Sequence, residues 1–171
     1  MYRQICENAF YTACVNGYLG IAKIIKYINP EINVPESVFC FVCDNGHLEV
    51  AKWLFEINPD IDISEDVFCY NGHLDVAQWL YQIKPTIIDD SHCVFLWSCK
   101  QGHLFMAQWL LEINPNIDIS RDEEHVFRHT CKHGHLEVAK WLLQIKPEIN
   151  VSACDEYAFC WASSNGDSEM I

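Results

Sequence analysis

One phrase, written several times over, constrains this chain more than any other feature. Asn45-Gly46-His47-Leu48-Glu49-Val50-Ala51-Lys52-Trp53-Leu54 returns from Asn71 to Leu80, from Gln101 to Leu110 and from His133 to Leu142. A looser version runs from Asn16 to Ile25, and a stub stands at Asn165-Gly166-Asp167. The glycines fall at 17, 46, 72, 102, 134 and 166, so their spacings are 29, 26, 30, 32 and 32. Periods of this length belong to repeat architectures, in which each copy is too small to bury its own apolar face and is stabilised by its neighbours.

Each copy reads as two helices. The second begins just after the glycine. In the second copy Leu48, Ala51, Leu54 and Phe55 fall at helical spacing and form one apolar stripe, while Glu49 and Lys52 lie a turn apart on the polar side. The helix is expected to stop at Asn58-Pro59, because Asn tolerates a left-handed cap and Pro cannot continue a helix. Asn29-Pro30 and Asn114-Pro115 repeat the stop, and Lys84-Pro85 and Lys146-Pro147 vary it. The first helix ends at the glycine, seven residues after Phe10, Phe39, Phe95, Phe127 or Phe159, and small pairs such as Ala13-Cys14, Ser98-Cys99 and Thr130-Cys131 let helices approach closely. The third copy has only four residues from Phe68 to Gly72, about one helical turn fewer, which predicts a weakened first helix near Cys69 and Tyr70 and a local kink.

These residues resemble the ankyrin repeat. The likeness rests on Gly-His-Leu-Glu-Val-Ala-Lys-Trp-Leu-Leu, as at Gly134 to Leu143, and on the Asn-Pro-Asp-Ile-Asp stretch at 58–62. The Trp-Leu-Leu-x-Ile-Asn/Lys-Pro wording is most similar to ankyrin proteins encoded by giant viruses of amoebae. The family's Thr-Pro-Leu-His opening of the first helix is absent, and Val38-Phe39, Val94-Phe95 and Val126-Phe127 stand in its place. The resemblance implies an all-α solenoid of stacked helix-turn-helix units with short or irregular finger turns. It implies a single 1–171 domain of about five repeats (1–30, 31–59, 60–85, 86–115 and 116–147) and a partial sixth at 148–171.

It also implies a non-catalytic protein-binding module whose concave face is built from first helices and turn tips. Position by position, the candidates two residues after the repeat Phe are Phe41, Trp97, His129 and Trp161. Shortly before the glycine stand Asp44, Lys100, Lys132 and Ser164, in a slot whose chemistry varies inside a fixed frame. The turns are acidic, at Glu36, Glu65, Asp66, Asp89, Asp90, Asp122, Glu123, Glu124, Asp155 and Glu156. Lys100, Arg128 and Lys132 interrupt that rim, so a mixed groove with an aromatic floor and one basic patch is expected. The viral resemblance makes a host protein the expected partner.

Eleven basic against 24 acidic residues give a net charge of -13, which argues against nucleic acid or an anionic membrane surface as partner. There are ten cysteines but no apolar leader and no run of 18 apolar residues, so the reading is an intracellular monomer with reduced thiols, in host cytoplasm if viral. Cys40-x-x-Cys43 with His47, and Cys131 with His133 and His135, have zinc-like spacing. However, Cys14, Cys43, Cys99 and Cys131 share one repeat slot, which favours packing over a metal or a nucleophile. Phosphate-loop and nucleophile-elbow motifs are missing, so no catalytic, cofactor or metal residue is assigned. His47, His73, His103 and His135 are expected to cap or to bond between repeats, and His92, His125, His129 and His133, off that register, to be exposed. Trp53, Trp79, Trp109 and Trp141 are expected to pack between copies. Two rivals remain: end-to-end assembly through termini that lack polar caps, and a zinc or thiol enzyme.

Overall fold

The computed structural model describes residues 2–63, 72–88 and 91–150. Among them are nine α-helices and no strand. They fall into two compact units, Met1–Ile87 and Ile88–Ile171, described separately below. Unit 1 holds α1 (Tyr2–Val15), α2 (Leu19–Ile28), α3 (Glu36–Asp44), α4 (Leu48–Ile57) and α5 (Leu74–Ile83), followed by a 3₁₀ turn at Pro85–Ile88. Unit 2 holds α6 (Ser91–Lys100), α7 (Leu104–Ile113), α8 (Arg121–Lys132) and α9 (Leu136–Ile145). In unit 1, α1 packs on α2 and α3, and α3 on α4; in unit 2, α6 packs on α7 and α8, and α8 on α9. Both units are therefore stacked helical hairpins, the all-α solenoid that the period predicts.

The first helices end as expected. Gly17, Gly46, Gly72, Gly102 and Gly134 all have positive φ, between 67 and 79°. The amide beyond the glycine then reaches back five residues, as Tyr18 N–H does to the Ala13 carbonyl at 2.8 Å and His103 N–H to Ser98 at 2.8 Å. This satisfies carbonyls that the helix end leaves open. The Asn before the glycine adds a side-chain bond: Asn16 Nδ2 donates to Thr12 O at 2.8 Å and Asn45 Nδ2 to Phe41 O at 2.7 Å.

The second helices stop for a different reason from the one read in the sequence. Asn29, Asn58 and Asn114 are not left-handed; their φ values are -127, -144 and -137°. Lys84 and Lys146 adopt the same extended shape, with φ of -135 and -141°. The following proline pushes its predecessor out of the helical region, so no left-handed residue is needed and Lys serves as well as Asn.

The buried stripe is also rotated from the sequence reading. Val50, Ala51 and Leu54 are the fully buried residues of α4, whereas Leu48 and Phe55 are half-buried. The helix is covered from two directions, by its own α3 and by the repeat before it. The tryptophans report the second contact. Trp53 meets Phe10 edge-on at 6.1 Å and Trp79 lies 6.4 Å from Phe39 in unit 1; Trp141 lies 6.2 Å from Phe95 in unit 2. Each ring is half-buried, so at these positions the tryptophans pack between copies as expected. Glu49 and Lys52 pair at 3.2 Å on the outer side.

The shortened first helix expected of the third copy, with its kink near Cys69 and Tyr70, lies outside the described residues, as does the sixth copy beyond residue 150.

Candidate partner-binding surface

Unit 2 assembles most of the sequence-predicted residues on the first helices of its two repeats. On α6, Trp97 is half-buried and the Lys100 ammonium sits 4.1 Å from its ring centre, a cation–π contact that holds both side chains in place. His125 and His129 on α8 and His133 just beyond its end follow at one-turn intervals. His125 and His129 stand 4.3 Å apart edge-to-face, His133 stacks on His129 at 6.1 Å, and His135 stacks on His133 at 6.4 Å. His133 takes the slot that Asn16 and Asn45 hold elsewhere, and its Nδ1 donates to the His129 carbonyl at 2.8 Å.

The expectation that the off-register histidines are exposed holds for His133 alone. His92, His125 and His129 are half-buried. Spacing of four residues puts His125 and His129 on one helix face, and α6 packs against that helix. The electrostatics follow. Burial pulls the His129 imidazole down to about 4, helped by His125, Lys100, Lys132 and His133. Burial also lowers His125, with Arg128 adding to the effect and Asp122 opposing it. At neutral pH His125 and His129 are therefore uncharged, with Lys100 close to both. Arg128 is partly committed: its Nη2 donates to the Asp122 carbonyl at 2.9 Å. Asp122 and Glu124 are left-handed, with φ of 53 and 61°, an irregular first turn that nothing in the spacing announced.

In unit 1, Phe41 is 56% exposed and Asp44 half-buried at the C-terminal end of α3. Trp161 lies outside the described residues.

Of the two roles expected of the repeat histidines, capping or bonding between repeats, the cap is not seen and the bond between repeats is found at His135. His47, His73, His103 and His135 precede their helices but make no side-chain cap bond. Three of the rings are instead seated on the glycine of the repeat before: His47 on Gly17, His73 on Gly46 and His135 on Gly102. His135 also bonds to the Lys100 backbone carbonyl, which partly offsets the burial that lowers its basicity. The glycine thus serves two ends, positive φ and room for the next ring.

The aligned thiols are packing groups. Cys14, Cys43, Cys99 and Cys131 form no disulfide and are buried. Burial pushes Cys14 and Cys131 up to about 12 and raises Cys43 and Cys99 as well, so these four are poor thiolate nucleophiles or ligands. Among the described residues no three His, Cys, Asp or Glu side chains are placed to share a metal ion, and no helix is long and apolar enough to cross a membrane.

The family profile described as "Ankyrin repeats (3 copies)" matches residues 67–153, just over half of the chain. No curated protein matches.

Proposed function

The chain belongs to the ankyrin-repeat family, whose repeats are generally protein–protein interaction modules, and from that premise we propose that it is a non-catalytic binding protein whose partner docks on the first helices of unit 2. The observation that carries the reading is the grouping of Trp97, Lys100, His129 and Lys132 on adjacent first helices. A ring held by its own lysine is a preorganised anchor, and aromatic and cationic side chains in a fixed frame are the usual hot spots of interfaces. In a chain of net charge -13 this basic patch favours a partner segment that carries carboxylates. The Trp-Leu-Leu-x-Ile-Asn/Lys-Pro wording supports a viral protein directed at a host partner in the cytoplasm.

Affinity capture from amoebal lysate tests this. Trp97→Ala, Lys100→Ala and Lys132→Ala together should weaken capture of the principal partner at least tenfold, about 1.4 kcal/mol, with helix content retained. Raising the ionic strength should weaken capture by the wild type more than capture by the triple variant. Unchanged capture by the triple variant would place the interface elsewhere.

A further inference from the structure

We infer that the histidine row of unit 2 makes docking on this surface proton-linked: a carboxylate-bearing segment is held with uptake of protons by His125 and His129, and therefore more tightly in mild acid. The inference rests on the reading above, in which such a partner docks on these first helices.

The repeat does not impose this row. Ser37 and Cys93 hold the slot of His125, and Phe41 and Trp97 that of His129. Among the described first helices, α8 alone places imidazoles at both positions. Their four-residue spacing sets the rings on one face, 4.3 Å apart edge-to-face, and His133 extends the row by stacking on His129 at 6.1 Å.

Nearly everything that faces the two rings is cationic or can become so. On α8 and at its cap, His129 meets His125, Lys132 and His133, while His125 meets Arg128 and Asp122. From α6, Lys100 faces both rings and His92 faces His125. Ahead of α9, His135 stacks on His133 at 6.4 Å. Asp122 is the one carboxylate among these groups, and its side chain pairs with Arg121 at 3.6 Å. Two imidazolium rings 4.3 Å apart would repel each other, and both would meet Lys100. His129 Nδ1 is also buried without a hydrogen-bond partner, so a second N–H on that ring finds no acceptor. Burial and these neighbours keep the rings neutral in the free chain, with His129 pulled down to about 4.

A carboxylate laid against the row supplies the negative charge and the acceptor that the cluster lacks. It offsets Lys100 and the adjoining imidazoles, and a ring that takes a proton from the buffer becomes a charge-assisted donor to it. Linkage then works in both directions: an anion that raises proton occupancy is itself bound more tightly as protons become available. For one ring that goes from about 4 in the free chain to the ordinary value of about 6.5 in the complex, affinity rises about tenfold between pH 7.5 and 5.5. Aspartate side chains stay largely ionised over that range.

A labelled decaaspartate peptide, titrated with the full chain at constant ionic strength and followed by fluorescence anisotropy, provides the test. Its Kd should fall about tenfold from pH 7.5 to 5.5, with circular dichroism unchanged. Titration calorimetry at pH 6 in two buffers of different ionisation enthalpy should show uptake of about one proton per complex. In the His125→Gln, His129→Gln double variant the Kd should change by no more than about twofold over the same range. No binding to the wild type at either pH would remove the docking reading and this inference with it, as would binding that survives Trp97→Ala, Lys100→Ala and Lys132→Ala together. Binding that is lost in that triple variant but is independent of pH in the wild type would overturn the inference alone. So would a pH dependence that persists in the double variant, or a loss of helix content by pH 5.5.

Discussion

Gly102→Ala should lower the unfolding free energy by about 3 kcal/mol, measured in urea. Two costs add. Gly102 has φ of 79°, a conformation that costs an L-residue about 1 kcal/mol or more. A Cβ there would also lie 2.5 Å from His135 Nδ1. That ring cannot easily swing aside, since it is half-buried and bonded to the Lys100 carbonyl. A double-mutant cycle separates the costs: in a His135→Ala background, Gly102→Ala should cost only the backbone part, about 1 kcal/mol. Gly20 is the control. Nothing lies within 4 Å of a Cβ added there, and it is helical, so Gly20→Ala should stabilise by about 0.5 kcal/mol. Equal effects at Gly102 in both backgrounds would mean that the ring does not need the space.

Acid should loosen unit 2 before most carboxylates titrate. His129, His125 and His135 are all held below the usual imidazole range, chiefly by burial. A base harder to protonate when folded binds fewer protons in the native state than in the unfolded chain. Its contribution is therefore fully present above the ordinary imidazole value of about 6.5 and is lost as pH falls toward the folded value, about 4 for His129. Because the His129 ring remains partly open to water, its loss from pH 7 to pH 4 is discounted to about 2 kcal/mol, with His125 and His135 acting in the same direction. Midpoints in urea across that range measure it. His129→Gln should flatten the curve between pH 6.5 and 4 while leaving the carboxylate-driven fall below it. A variant curve parallel to the wild type would show that His129 is as basic as a free imidazole.

Neither effect is visible in the repeated phrase. The spacing of His135 marks it as part of a framework and suggests a cap or a bond between repeats; the structure makes the bond, to Lys100, and also seats the ring against a glycine 33 residues earlier, which the spacing did not suggest. The patch proposed for binding was partly legible. Trp97, Lys100, His129 and Lys132 could be named because equivalent slots in a solenoid face the same way. The row from His125 to His133 was missed, although its four-residue spacing along α8 and its C-cap was the available signal.

What the sequence determined by itself is what depends on neighbours in the chain. The positive φ at each glycine, the proline stops, the paired helices and the period all follow from steric rules and apolar spacing that act within a few residues. What only the tertiary structure decided depends on a copy about 30 residues away. That Val50 is buried and Leu48 half-buried, and that Trp53 rests on Phe10, are results of one repeat covering another. Burial is set by what stands opposite a residue, and no local pattern records that.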